Sequence, residues 1–155
     1  MTKNFNFDSN VNKIALEATT DKEVLLKLSS LLHRHGYVKE SYCNAIIERE
    51  KIFPTGLNFN KYGVALPHTD CCHVNKPMIA ICTLKNPVIF KSMGDSNQNV
   101  SVNIIFMLAM NNSDNQLQLL STLIENLQNQ ELMSNLLRAQ APSTLTRLIS
   151  NNIIL

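Results

Sequence analysis

In the run Val64-Ala65-Leu66-Pro67-His68-Thr69, an apolar stretch of strand character stops at a proline, and the next side chain is an imidazole. Proline fixes φ and removes a backbone donor, so the strand ends or leaves the ladder there. His68 is thereby placed at a strand end. Imidazole is suited to accept and release a group near neutral pH, because its unperturbed pKa lies near ~6.5 and its two nitrogens hold different jobs. A plain alternative is a turn histidine after a proline. A metal site is a third reading, since His68, Asp70, Cys71, Cys72 and His73 crowd a short stretch. Adjacent cysteines seldom ligate one ion, however, and no second cysteine pair follows at ligand spacing, so no metal and no other cofactor is expected.

The four cysteines, Cys43, Cys71, Cys72 and Cys82, have no framework spacing and read as reduced thiols. Cys82 falls in an apolar run and is expected to pack as a small core residue. Cys71 and Cys72 carry no sign of a redox role in the sequence, since that role needs a depressed thiol pKa.

The elements that must hold His68 follow from the rest of the chain. Its 155 residues suit one domain spanning 1–155, large enough to bury a core without staples. Hydrophobic residues make up 45% and charged residues 17%, the mix of a globular protein rather than a disordered one. A net charge of +2 without a basic stripe argues against nucleic acid as a partner. The longest apolar run, Ile104 to Met110, is far short of the ~20 residues that cross a bilayer, and Met1-Thr2-Lys3-Asn4 opens no signal-like segment. A cytoplasmic protein without membrane insertion is the expectation.

Apolar residues at helical spacing predict a helix over Asp21 to His35, capped by Thr20 or Asp21 and closed by Gly36 after the basic turn His33-Arg34-His35. A second helix is predicted from about Ser41, as cap, to Lys51, with Pro54-Thr55-Gly56 ending the region. Tyr62 to Leu66 and Met78 to Leu84 read as strands, with Asn86-Pro87 breaking the second and Val88-Ile89-Phe90 as a further short one. Gly56 and Gly63 read first as turn residues. Val100 to Met110 is the most hydrophobic strand, and its almost unbroken apolar centre predicts burial on both sheet faces. After a polar loop over Asn111 to Asn115, helices follow over Gln116 to Leu127, Glu131 to Arg138 and from Pro142 onward. The fold class is α/β: a central mixed β-sheet flanked by helices on both faces.

Read outward from His68, the chain holds Glu48-Arg49-Glu50, then Pro54-Thr55-Gly56, then Gly63-Val64-Ala65-Leu66-Pro67-His68, then His73. In this order these elements resemble the enzyme IIA domains of the sugar phosphotransferase system, mannitol/fructose class (type 2), over nearly the whole chain. The resemblance implies a mannitol-type IIA fold and a phosphohistidine intermediate. In that family the Pro-His histidine is phosphorylated by the phosphocarrier protein HPr and passes the group to a IIB component; here that position is His68. The spacing from His68 to His73 and the segment Gln116-Leu117-Gln118-Leu119-Leu120 are similar to galactitol-specific IIA proteins. Mannitol-type members carry a second active-site histidine where this sequence has Gln116, so their two-histidine site does not carry over intact.

Elementary chemistry agrees with the resemblance. A histidine nucleophile must be neutral, with its protonated nitrogen held by an acceptor. Charge spread over phosphoryl oxygens needs positioned donors more than a general base. Arg49 offers a planar fork for two oxygens, although it also suits a surface ion pair. Thr69 and the backbone N–H groups after Pro67-His68 offer further donors. His73 and Gln116 are expected to replace the second histidine together. A regulatory relative of the nitrogen-control kind, whose phosphorylation state selects its partner, would carry the same motif.

Overall fold

The computed structural model describes residues 7–153. The segment Met1 to Asn4, discussed above for its lack of a signal-like run, lies outside them. Five strands form one mixed sheet: β1 (Lys13–Leu16), β2 (Gly56–Phe59), β3 (Tyr62–Ala65), β4 (Met78–Lys91) and β5 (Asn99–Ala109), in the order β1-β4-β5-β3-β2. β4 pairs antiparallel with β5, β3 antiparallel with β2, while β1 runs parallel to β4 and β3 parallel to β5. The parallel pairing sends the ends of β3 and β5 to the same edge of the sheet, and that edge carries His68.

Alternation along the strands sorts the core into two layers. Ala80, Cys82, Ile105 and Met107 face α1 (Asp21–Arg34) and α2 (Tyr42–Ile52). Ile79, Ile81, Ile104, Phe106 and Leu108 face α3 (Ser113–Asn126), α4 (Gln130–Arg138) and α5 (Pro142–Asn152). The unbroken apolar centre of β5 is therefore covered on both sides, as its composition predicts. Burial also accounts for Cys82, a core thiol pushed up to about 12.

α1 begins where the sequence places it: the Thr20 side chain accepts from the Glu23 N–H. It closes through Gly36 at φ 82°, a left-handed turn in which the Tyr37 N–H returns to the Leu32 carbonyl. The ring of His35 bonds the Leu31 carbonyl at 3.0 Å, in keeping with its expected place at the negative helix end.

Several boundaries differ from expectation, each for a local reason. Asn86-Pro87 does not break the strand. β4 continues through Lys91, and the register shift between Thr83 and Val88 takes up the extra residues as a bulge, the place where a sheet tolerates proline. Gly63 is not a turn residue either. It lies within β3, where an added Cβ would run into the Ser101 carbonyl, and Asn60, at φ 58°, makes the β2–β3 turn instead. Gly56 likewise starts β2 in close approach to the Lys91 carbonyl oxygen, 2.7 Å from where a Cβ would stand. Asn111 to Asn115 is not wholly a loop: Asn112 caps α3 by accepting from the Asn115 N–H, so the helix starts at Ser113. The short strands β1 and β2 give too little alternation to be recognised in the sequence.

Candidate functional site

β3 delivers His68 to the sheet edge by a chain path pinned on both sides. The Leu66 N–H donates to the Thr55 carbonyl at 3.3 Å, and the Pro67 carbonyl accepts from the Leu108 N–H at 2.9 Å. Leu66 and Pro67 are buried, and His68 emerges half-buried just beyond them. Its Nδ1 lies 2.7 Å from the Leu66 carbonyl oxygen. A carbonyl only accepts, so Nδ1 carries the proton and Nε2 holds the free lone pair. Burial lowers the His68 pKa, the Arg49 charge adds to that, and the bond to Leu66 opposes both. The net result is a neutral imidazole at pH 7 with one nitrogen available for attack.

Arg49 sits in the last turn of α2. Its guanidinium lies over the Phe53 ring, 4.7 Å from the centroid, and its Nη1 reaches Asp70 Oδ1 at 3.5 Å, the outer limit of a hydrogen bond. Because Asp70 is well exposed, this ion pair is weak. Arg49 Nε is buried and has no hydrogen-bond partner, so the fork keeps a donor uncommitted. Thr69 is buried next to His68 in sequence, and its hydroxyl makes no hydrogen bond among the described residues.

His73 ends the short 3-10 turn Cys71–His73. Its Nδ1 bonds Ser41 Oγ at 2.8 Å, and its carbonyl accepts from the Lys39 N–H. Ser41 makes no side-chain cap on α2, contrary to the sequence expectation: its backbone is already helical, at φ −69° and ψ −16°, and its hydroxyl turns to this histidine. Among the described residues no hydrogen bond joins the His73 and His68 rings. Gln116 is the fourth residue of α3 rather than its first; its Oε1 is buried without a hydrogen-bond partner. Rotation of the amide presents Nε2 in place of Oε1, so this position can donate as well as accept. Among the described residues no three His, Cys, Asp or Glu side chains group to hold a metal ion.

The site therefore holds one neutral ring nitrogen on His68 and an uncommitted donor on Arg49. The family model described as "Phosphoenolpyruvate-dependent sugar phosphotransferase system, EIIA 2" matches residues 6–152. The chain belongs to this EIIA 2 family. Within it, the chain is similar to the galactitol-specific EIIA component of Escherichia coli K12, 30% identical over 115 residues that cover 74% of this chain and 76% of the relative. The fold of this EIIA 2 chain is that of IIA mannitol from Escherichia coli, with TM-score 0.77 at 22% identity over 94% of this chain and 99% of that one. A complex of the mannitol enzyme IIA with phosphorylated enzyme IIB, also from Escherichia coli, aligns with TM-score 0.77 at 21% identity, over 94% of this chain and 98% of that one.

In the sequence, Glu50 and Thr55 read only as parts of the motif, and neither is given a place in the site. Glu50 is the one buried acidic residue of α2, and it accepts from both the N–H and the hydroxyl of Thr55. The signal available was a carboxylate one helical turn from the Pro-Thr-Gly exit, which the sequence alone presents as a surface charge followed by a turn. No helix of the described residues is long and apolar enough to cross a membrane.

Proposed function

We propose that this EIIA 2 chain is a phosphocarrier that accepts a phosphoryl group on His68 from the phosphocarrier protein HPr and passes it to a cysteine of a IIB component. The observation that carries the reading is the 2.7 Å contact between His68 Nδ1 and the Leu66 carbonyl, which leaves Nε2 as the nucleophile. In each transfer Nε2 bonds to phosphorus as the bond to the donor's phosphorylated residue breaks. The reverse occurs when the IIB thiolate attacks and the imidazole leaves neutral.

Catalysis of such a step is positioning and charge stabilisation. Arg49 offers its unpartnered Nε to an equatorial oxygen. Thr69 and Gln116 add neutral donors that do not titrate, and the Nε2 nitrogen of His73 is the one its ring has left for this purpose. No cofactor is required for this chemistry. Galactitol-type sugar uptake is the proposed pathway, supported by the 30% identity to the galactitol-specific component.

The direct test is incubation with phosphoenolpyruvate, enzyme I and HPr, then mass mapping under mildly alkaline conditions. One phosphoryl group on His68 is expected, with His68→Ala folded but unlabelled. Stoichiometric labelling of the Ala variant would remove His68 from the role.

A further inference from the structure

Glu50 is nearly sealed from solvent, 5% exposed, and no cation among the described residues bonds to it. Its carboxylate instead takes the Thr55 N–H at 2.8 Å and the Thr55 hydroxyl at 2.9 Å. Thr55 stands between α2 and β2, and its carbonyl accepts the Leu66 N–H; the Leu66 carbonyl in turn holds His68 Nδ1. Two parallel hydrogen bonds from Thr55 to the buried acid, one from Leu66 to Thr55 and one from His68 to Leu66 thus link Glu50 to the candidate nucleophile in three steps, and the Leu66 contact sets the tautomer of the ring. The anchor has a second consequence. Glu50 follows Arg49 in the chain, so fastening it to Thr55 also ties the last turn of α2, which carries Arg49, to the segment entering β2. Burying a carboxylate away from any cation is expensive, and Asn or Ser at this turn would cost less if filling space were the only demand.

We propose that Glu50 is a positioning residue for phosphoryl transfer, holding Thr55, and through Leu66 the His68 ring, in the Nδ1–H tautomer and at a fixed distance from Arg49. The proposal rests on His68 being the phosphoryl acceptor. The relay works by geometry, because the successive bonds belong to different peptide groups and no single peptide conducts the charge. A neutral isostere therefore suffices. In Glu50→Gln, Oε1 accepts the Thr55 N–H while Nε2 donates to the Thr55 hydroxyl, which turns to accept. Glu50→Ala leaves both Thr55 donors buried without an acceptor.

The experiment pairs transfer rates from phosphorylated HPr with the ring-nitrogen spectrum of His68, read by long-range proton–nitrogen correlation on the full chain. The Ala variant is expected to transfer at least tenfold more slowly and to show both tautomers of His68. The Gln variant should recover to within about threefold of the parent with the Nδ1–H tautomer intact. Thr55→Val, which removes one hydroxyl and keeps the backbone N–H, should fall between them. If the Ala variant does not fold, the Gln and Val variants decide: parental behaviour in Val, or loss in Gln, overturns the relay. A slow Ala variant with an unchanged His68 spectrum also overturns it. Should the parent itself take no phosphoryl group on His68, the functional reading fails, while the spectra still decide whether Glu50 sets the ring.

Discussion

His68 and Arg49 show how far two side chains can be specialised by what surrounds them. Burial keeps the imidazole neutral, and since its pKa is lowered the reactive form persists as the pH falls below the ordinary histidine range. Arg49 pays out little of its donor capacity to Asp70. Arg49→Lys keeps the charge but loses the planar fork and the Nε donor, so transfer should slow roughly tenfold, about 1.4 kcal/mol of transition-state stabilisation, with the fold unchanged. Rapid-quench rates equal to the parent would make Arg49 a surface charge. Glu50 gives a pH prediction for stability. Burial pushes its carboxyl up from 4.5 to about 7, so the unfolded chain loses its proton between those values while the folded chain keeps it. Stability therefore falls as the pH rises through that window, by at most about 3 kcal/mol, and levels off above it. Asp21 and Lys22 of α1 and Lys51 of α2 line the same narrow cleft, and Asp21 adds to the upward shift. Glu50→Gln has nothing to ionise there, so its urea midpoint should gain on the parent's from pH 5 to pH 8. A gap that stays constant would mean the carboxyl does not titrate in this range.

At the level of elements, the helices were legible and the sheet edges were not. Apolar residues at helical spacing located α1, α3, α4 and α5, and the continuous apolar run of β5 disclosed its two covered faces. β1 and β2 are four residues each, β1 held by the distant strand β4 and β2 by a tight hairpin to β3, and both are too short for a local pattern to announce them. The site divides in the same way. The strand-proline-histidine order exposed His68 directly, whereas Glu50 needed the three-dimensional knowledge that α2 buries that face against Thr55. Asn12 belongs to the same hidden class. It precedes β1 and is 4% exposed, its Oδ1 accepting the Ile81 N–H of β4 at 3.0 Å. Its Nδ2 donates to the Pro142 carbonyl and to Thr146 Oγ1, so one amide fastens α5 to the sheet. Asn12→Ala leaves the buried Ile81 N–H without an acceptor and cuts the amide's ties to α5, and should cost about 1–3 kcal/mol. Urea unfolding should show a lower midpoint with the slope unchanged; a loss under about 0.5 kcal/mol would mean that α5 is held by its apolar face alone.

For the whole molecule, the arrangement around His68 sets what kind of complexes the chain can form. Ile52 and Phe53 follow Arg49 at 69% and 58% exposure, and Leu117 follows Gln116 at 66%. Large apolar side chains left this open, with Phe53 lying under the Arg49 guanidinium, suit transient docking rather than the core. On the proposed reading the donor and the acceptor must each bring a phosphorylated or phosphoryl-accepting residue to the same Nε2, so they cannot be seated together. Neither can be held tightly. With association at about 10⁷ M⁻¹s⁻¹ and turnover of about 10² s⁻¹, a complex that must part within each cycle needs a dissociation constant of about 10 μM or weaker. Titration of isotope-labelled chain with unphosphorylated HPr should therefore give fast-exchange shifts around Phe53, His68 and Leu117, and a cognate IIB protein should reverse them. Phe53→Ser should weaken both partners together while leaving the ring nitrogens of His68 as they are. Simultaneous binding of both partners without mutual displacement would mean that this edge of the sheet serves only one of them, and that the phosphoryl group reaches the other by a different face.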